Sequence, residues 1–183
     1  ISTVTVLDTI VPVASCKNVT VYLDALGLAT IDSTDIDNGS SDNCLLSTIS
    51  VSTTTFDCTS LGANTVTMTA TDASGNSGSC ISTVTVLDTI VPVAICKNIT
   101  VYLDALGIAT IDSTDIDNGS TDNCLLSTIS VSTTTFDCTS LGANTVTMTA
   151  TDASGNSGSC ISTVTVLDTI VPVAICKNIT VYL

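Results

Sequence analysis

Nine cysteines and seventeen acidic residues, all of them Asp, are the side chains here that could do chemistry, and both recur at a fixed spacing. The cysteines stand at 16, 44, 58 and 80, again at 96, 124, 138 and 160, and once more at 176. There is no His, and the only cations are Lys17, Lys97 and Lys177. Without His, the Ser-His-Asp and Cys-His arrangements that activate a nucleophile cannot be assembled, so the sequence reads as non-enzymatic. Zinc needs His or CxxC-type pairs, and neither occurs. An even number of cysteines per small block reads instead as disulfides made in an oxidising compartment. The formal net charge of -14 argues against nucleic acid or an anionic membrane as partner, because phosphate binding runs on Lys and Arg. It favours divalent cations.

The blocks are eighty residues long. Residues 1–80 and 81–160 differ only at Ser15/Ile95, Val19/Ile99, Leu28/Ile108 and Ser41/Thr121, and residues 161–183 match 81–103 without a change. That period is too long for a solenoid unit and long enough for a small domain with its own core. The expected organisation is the last strand of a preceding repeat at 1–8, whole domains at 9–88 and 89–168, and the first strand of a following repeat at 169–183. The chain thus reads as a segment of a longer array, whose partners are neighbouring repeats of the same chain or identical chains. No membrane insertion is expected in this segment.

Alternation of apolar and polar residues must position these groups. In "NTVTMTATD" (64–72), Val66, Met68 and Ala70 face one way and four threonines the other. Runs of this kind, rich in β-branched residues and bounded by Asn, Asp, Gly and Ser, predict antiparallel strands near 17–23, 28–34, 45–51, 53–58, 63–71 and 81–87. Their number and spacing predict an all-β chain of tandem immunoglobulin-like β-sandwich domains. Tyr22 and Phe56 are the only large aromatics per block, so the core is thin and staples are expected.

"NTVTMTATDASGNSGSCISTVTVLDTIVP" (64–92) resembles the second half of the hyalin repeat (HYR) domain, and "CKNVTVYLD" (16–24) with "DIDNGSSDNC" (35–44) is similar to its first half. The resemblance implies an immunoglobulin-like module of extracellular and cell-surface proteins, including long repetitive proteins of Bacteroidota-type bacteria. Four cysteines per block permit three pairings. The resemblance implies Cys16–Cys80, and so Cys96–Cys160. That leaves Cys44–Cys58 and Cys124–Cys138, outside the family's minimal pattern, and Cys176 without a partner in this chain.

Calcium takes six to eight oxygen ligands, which the aspartates and asparagines can supply. In a sandwich of this topology, Asp35, Asp37, Asn38, Asp42 and Asn43 should lie near Asp72 and Asn76 of the last hairpin, with Asp8 delivered by the junction. Asp88, Asp115, Asp117, Asp122, Asp152 and Asn156 repeat the arrangement. The same residues are also standard turn-formers, and "DNGS" and "DASGN" read equally as turns. "DTI" and "DST" match a bacterial O-glycosylation sequon, marking Thr9, Ser33, Thr89, Ser113 and Thr169. Asn18, Asn98 and Asn178, with Asn38 and Asn118, match the N-linked sequon. The function expected from all this is the shaft of an extracellular filament, fibre or adhesin stalk at the cell surface. The alternatives are a multivalent glycan- or adhesion-binding module, and subunits polymerised by strand exchange at their ends.

Overall fold

A computed structural model describes residues 2–183. They form two compact units: residues 2–91 with 122–125 and 152–156, and residues 92–121, 126–151 and 157–183.

In the first unit, β1 (Val19–Tyr22), β6 (Ser77–Leu87), β5 (Gly62–Asp72) and β3 (Leu46–Val51) lie side by side in that order in one sheet. β2 (Leu28–Thr30) and β4 (Thr55–Asp57) pair in a second. β5 and β6 are long because the Thr/Val alternation runs unbroken through both. They pair antiparallel from Gly62↔Val86 to Thr71↔Ser77. β1 departs from the antiparallel expectation: it pairs parallel to β6, Val19 opposite Val84 and Tyr22 opposite Leu87. A parallel pair needs a long crossover, and the intervening strands of the unit supply it.

Alternation puts Val66, Met68 and Ala70 of β5 and Val84 and Val86 of β6 on the buried face at zero exposure. Ala29 and Phe56, paired across the small sheet, belong to the same core, with Leu23, Ile31 and Ile36. Ser82 is buried among them, its hydroxyl satisfied by donating to the Lys17 carbonyl at 2.8 Å. At Gly78 the backbones close tightly: a Cβ there would run into the carbonyl oxygen of Pro12.

The strand expected over 28–34 ends early. Residues Ser33–Ile36 form a single helical turn, α1, because Asp32 and Asp35 make a capping box. Asp32 accepts from the Thr34 amide at 2.7 Å, and Asp35 accepts from the Asp32 amide at 2.8 Å. This satisfies the orphan amides of a helix start and turns Ile36 into the core. A 3₁₀ turn at Cys58–Ser60 is capped in the same way by Asp57 and Ser60.

The second unit repeats the plan: β7 (Ile99–Tyr102), β12 (Ser157–Leu167), β11 (Gly142–Asp152) and β9 (Leu126–Val131) in one sheet, β8 (Ile108–Thr110) and β10 (Thr135–Asp137) in the other. α2 (Ser113–Ile116) is capped by Asp112 and Asp115. Segments 2–8 and 169–183, expected as strands of further repeats, lie in no sheet among the described residues. A strand needs a neighbour to take its backbone hydrogen bonds.

Candidate functional site

Two cysteine pairs tie the long strands to the entering chain: Cys16 is bonded to Cys80, and Cys96 to Cys160. The remaining cysteines correct the sequence reading. Cys58 is bonded to Cys124, with Cα atoms 5.4 Å apart, while Cys44 and Cys138 are free. Neither Cys44–Cys58 nor Cys124–Cys138 exists. The reason lies in the sandwich: Cys44 precedes β3 in one sheet and Cys58 follows β4 in the other, and strands in different sheets carry their flanking residues apart. Cys58 belongs to the first sequence copy and Cys124 to the second, yet both lie in the first compact unit. Cys176 is free and exposed.

The carboxylates gather in two groups. Asp8, Asp42 and Asp72 each offer an oxygen within 4.8 Å of the others, and so do Asp88, Asp122 and Asp152. Both triplets belong to the first unit. Asp72 ends β5, and the hairpin turn back to β6 carries Asn76. That residue's amide donates to Asp72 Oδ2 at 2.7 Å and to the Asp8 carbonyl at 3.0 Å. Asn156 binds Asp152 and the Asp88 carbonyl likewise, at 2.8 and 3.1 Å. Asn43 donates to Asp8 Oδ2 at 3.3 Å, and Asn123 to Asp88 Oδ1 at 3.2 Å.

Four oxygens are left over. Asp42 Oδ1, Asp88 Oδ2, Asp122 Oδ1 and Asn123 Oδ1 are buried without a hydrogen-bond partner. Asp88 itself is only 6 % exposed. Buried carboxylate oxygens with no donor are costly, and close carboxylates repel. This donor set, all oxygen and all anionic or amide, suits a hard divalent cation such as calcium.

Asp35, Asp37, Asp115 and Asp117 do not join either triplet. Asp35 and Asp115 are used in the capping boxes, and Asp37 Oδ1 accepts from the Ser40 amide and hydroxyl at 3.0 and 2.6 Å. Asp117 holds Ser120 in the same way. These are local turns, and their hydrogen bonds, led by the Ser40 and Ser120 hydroxyls, hold both carboxyls below the usual range. Asn123 was not singled out by sequence reasoning. Its signal was there: it is the copy of Asn43 one period on.

The Asp8 carboxyl is also held low, first by the Ile10 amide and then by the Cys44 thiol. The same contact, with the Asp8 charge, pushes the Cys44 thiol up. At Asp72, burial pushes the carboxyl up, but the hydrogen bonds from Asn76 and Ser74 outweigh it and hold it low.

The sequon-like motifs have local explanations. In "DTI", Asp8 and Asp88 accept from the amides of Ile10 and Ile90. In "DST", Asp32 and Asp112 cap α1 and α2. Thr9, Thr89 and Thr169 are exposed, and Ser33 and Ser113 half-buried. Asn18 Oδ1 and Asn98 Oδ1 accept from the amides of Thr83 and Thr163.

The family described as HYR domain matches residues 7–86 and 87–166. No curated protein matches the chain. Among solved structures, four extracellular cadherin domains of protocadherin gamma B7 align over 86% of this chain and 51% of their own, at 14% identity and a TM-score of 0.39. A three-domain immunoglobulin segment of titin covers 86% here and 66% of itself, at 14% identity and TM-score 0.40. Human mucin-like protocadherin EC1-2 covers 86% here and 98% of itself, at 13% identity and TM-score 0.38. The chain thus spans between half and two thirds of the first two, and likenesses this distant carry no functional argument.

Proposed function

The chain belongs to the HYR-domain family, and on that premise we propose that it is a load-bearing segment of an extracellular shaft, such as a filament, fibre or adhesin stalk. The observation that carries this reading is that disulfides close most of the chain into loops. They run 16–80, 58–124 and 96–160, so every residue between Cys16 and Cys160 lies inside at least one of them. Unfolding a protein under tension lengthens it by the contour it releases, about 3.3–3.6 Å per residue. Here the shortest covalent path crosses the first and third bridges and includes only the residues from Cys80 to Cys96, roughly 55 Å of contour. With the disulfides reduced, the path from Cys16 to Cys160 is roughly 500 Å. Near-identity of the copies supports a spacer, since a receptor site would need only one of them.

A divalent cation, calcium by its chemistry, fits the oxygen clusters as a second reinforcement. Asp88, Asp122 and Asp152 would hold it, and Asp8, Asp42 and Asp72 form the corresponding triplet. When bound it would neutralise carboxylates that otherwise repel.

Single-molecule pulling on the chain tests the shaft reading. The expected record is a short extension when oxidised and a roughly threefold longer one with reductant, because the segments before Cys16 and after Cys160 extend in both. Equal extensions under both conditions would sink it.

A further inference from the structure

In the first unit Asp24, Gly27, Cys58 and Asp88 form a seat for the tetrapeptide Asp122-Asn123-Cys124-Leu125. The equivalent residues of the second unit are Asp104, Gly107, Cys138 and Asp168. The Asn123 amide donates to the Asp24 carbonyl at 3.3 Å and to Asp88 Oδ1 at 3.2 Å. Gly27, at φ 71°, leaves room for Cys58 Sγ and the Asn123 carbonyl oxygen, which lie 2.6 and 2.8 Å from where a Cβ would stand. Cys124 completes the seat by its bond to Cys58.

The tetrapeptide builds the triplet of Asp88, Asp122 and Asp152 in two ways. It supplies Asp122, whose Oδ2 accepts from the Cys124 amide at 3.1 Å, so the bonded cysteine also orients that carboxylate. Asp122 Oδ1 is left buried without a partner. Asn123 then donates to Asp88 Oδ1, which the Ile90 amide also reaches, at 3.1 Å. Both donors fall on one oxygen, and Asp88 Oδ2 is left unpartnered in a residue only 6 % exposed. Two Asn123 hydrogen bonds longer than 3 Å are weak ties, whereas carboxylates this close repel. The disulfide is the tie that holds Asp122 against that repulsion.

We propose that the Cys58–Cys124 disulfide gates the cation site. Closed, it keeps Asp122 beside Asp88 and Asp152, and calcium binds. Opened by a small thiol, it frees the tetrapeptide, and the affinity falls. In the opening step one small thiolate attacks a sulfur of the bond, forming a mixed disulfide and releasing the other protein thiolate. A second small thiolate attacks the sulfur of the first and releases the remaining protein thiolate. Two small thiols become one small disulfide, and the two protein sulfurs gain two electrons and two protons. The coupling is reciprocal: the factor by which the closed bond raises calcium affinity is the factor by which calcium opposes reduction of the bond. The inference rests on the calcium reading of the triplet and adds its regulation.

The test uses the 183-residue chain with Cys44→Ser, Cys138→Ser and Cys176→Ser, which removes the thiols that could exchange, and calcium chloride as the probe. Amide NMR shifts of Asp88, Asp122 and Asp152 report this triplet, and those of Asp8, Asp42 and Asp72 the other. Adding Cys58→Ser with Cys124→Ser should weaken calcium binding at the first triplet on the order of tenfold, because a pre-ordered ligand becomes a tethered one, and leave the second unchanged. A second measurement keeps the bond in place. In a glutathione redox buffer, read by alkylation and peptide mass, about 10 mM calcium should raise the ratio of thiol squared to disulfide that opens Cys58–Cys124 by roughly five- to tenfold, with Cys96–Cys160 unmoved. If the doubly substituted chain does not fold, this titration decides alone. Equal calcium affinity with and without the bond, or an opening midpoint that calcium does not move, would overturn the proposal and leave the calcium reading standing. No calcium-dependent shift at either triplet of the bonded chain would remove both.

Discussion

Asp88 and Asp168 have the same neighbours in sequence, since residues 81–103 and 161–183 are identical, yet Asp88 is 6 % exposed and Asp168 lies open to solvent. Cys58 and Cys138 differ in the same way, one bonded and one free. The strands around both pairs are alike in length and register. Burial, pairing and the crowding of carboxylates at this seat are therefore properties of what occupies it. The sandwich supplies the socket, and a tetrapeptide from elsewhere in the chain turns it into a buried, anionic, covalently closed site.

The comparison can be broken most forcefully at its covalent link. Cys58→Ser should cost the first unit about 4 kcal/mol, because a loop of that length constrains the unfolded chain by that much. Cys138→Ser should leave the melting of the unmodified chain unchanged. Calorimetry under oxidising conditions separates the two, and equal losses would mean that the seats are equivalent after all.

The cores, in contrast, should behave alike. Ile36 and Ile116 are both fully buried behind their capping boxes. Truncation to Ala should cost about 2–5 kcal/mol in either unit, by lost burial and the cavity left behind. Denaturant unfolding of the two variants checks this, and a large asymmetry would place the difference between the units in their cores.

Calcium should then distinguish the seats again. At an affinity of about 10⁻⁴–10⁻³ M, 10 mM calcium stabilises one site by about 1.4–2.7 kcal/mol. Asp8→Asn with Asp88→Asn should remove most of that gain in thermal melts, and Asp168→Asn almost none. A calcium gain that survives the paired substitution would show that the clusters are only sets of turns.

Acid should act on both units through their caps. Asp32, Asp57, Asp112 and Asp137 are held below the ordinary 3.8, first by the hydroxyls of Thr34, Thr59, Thr114 and Thr139. A lowered carboxylate contributes stability above its ordinary value, and that stability is lost as pH falls through the lowered one. Melting temperature should hold near pH 5 and fall below about pH 4 in both units. A fall setting in near neutral pH would point to other groups.

The smallest effect is expected at Cys44. Its thiol is pushed up by the hydrogen bond to Asp8 and by that residue's charge. Asp8→Asn should raise the thiolate fraction and speed alkylation of Cys44 a few-fold near pH 8, with Cys138 unaffected. Unchanged rates would show that the contact does not form in solution.

By itself the sequence determined what is local or periodic. Alternation fixed which faces of β5 and β6 are buried, because side chains of a strand point alternately to its two sides. The eighty-residue period made the two units nearly the same. The Asp32-Ser-Thr-Asp35 cap was also written there, although the β-branched run before it reads as a strand continuing to Thr34. Asp35 and Asp37 have the composition of ligands, but partners two or three residues away consume them. Only the tertiary structure decided that Cys58 meets Cys124, that β1 runs parallel to β6, and that Asp88, Asp122 and Asp152 converge with oxygens unpartnered. Counting four cysteines per block presupposes that pairs close within the block. Nothing in a linear spacing opposes that, because which sulfurs meet is set by the sheets on which their strands lie.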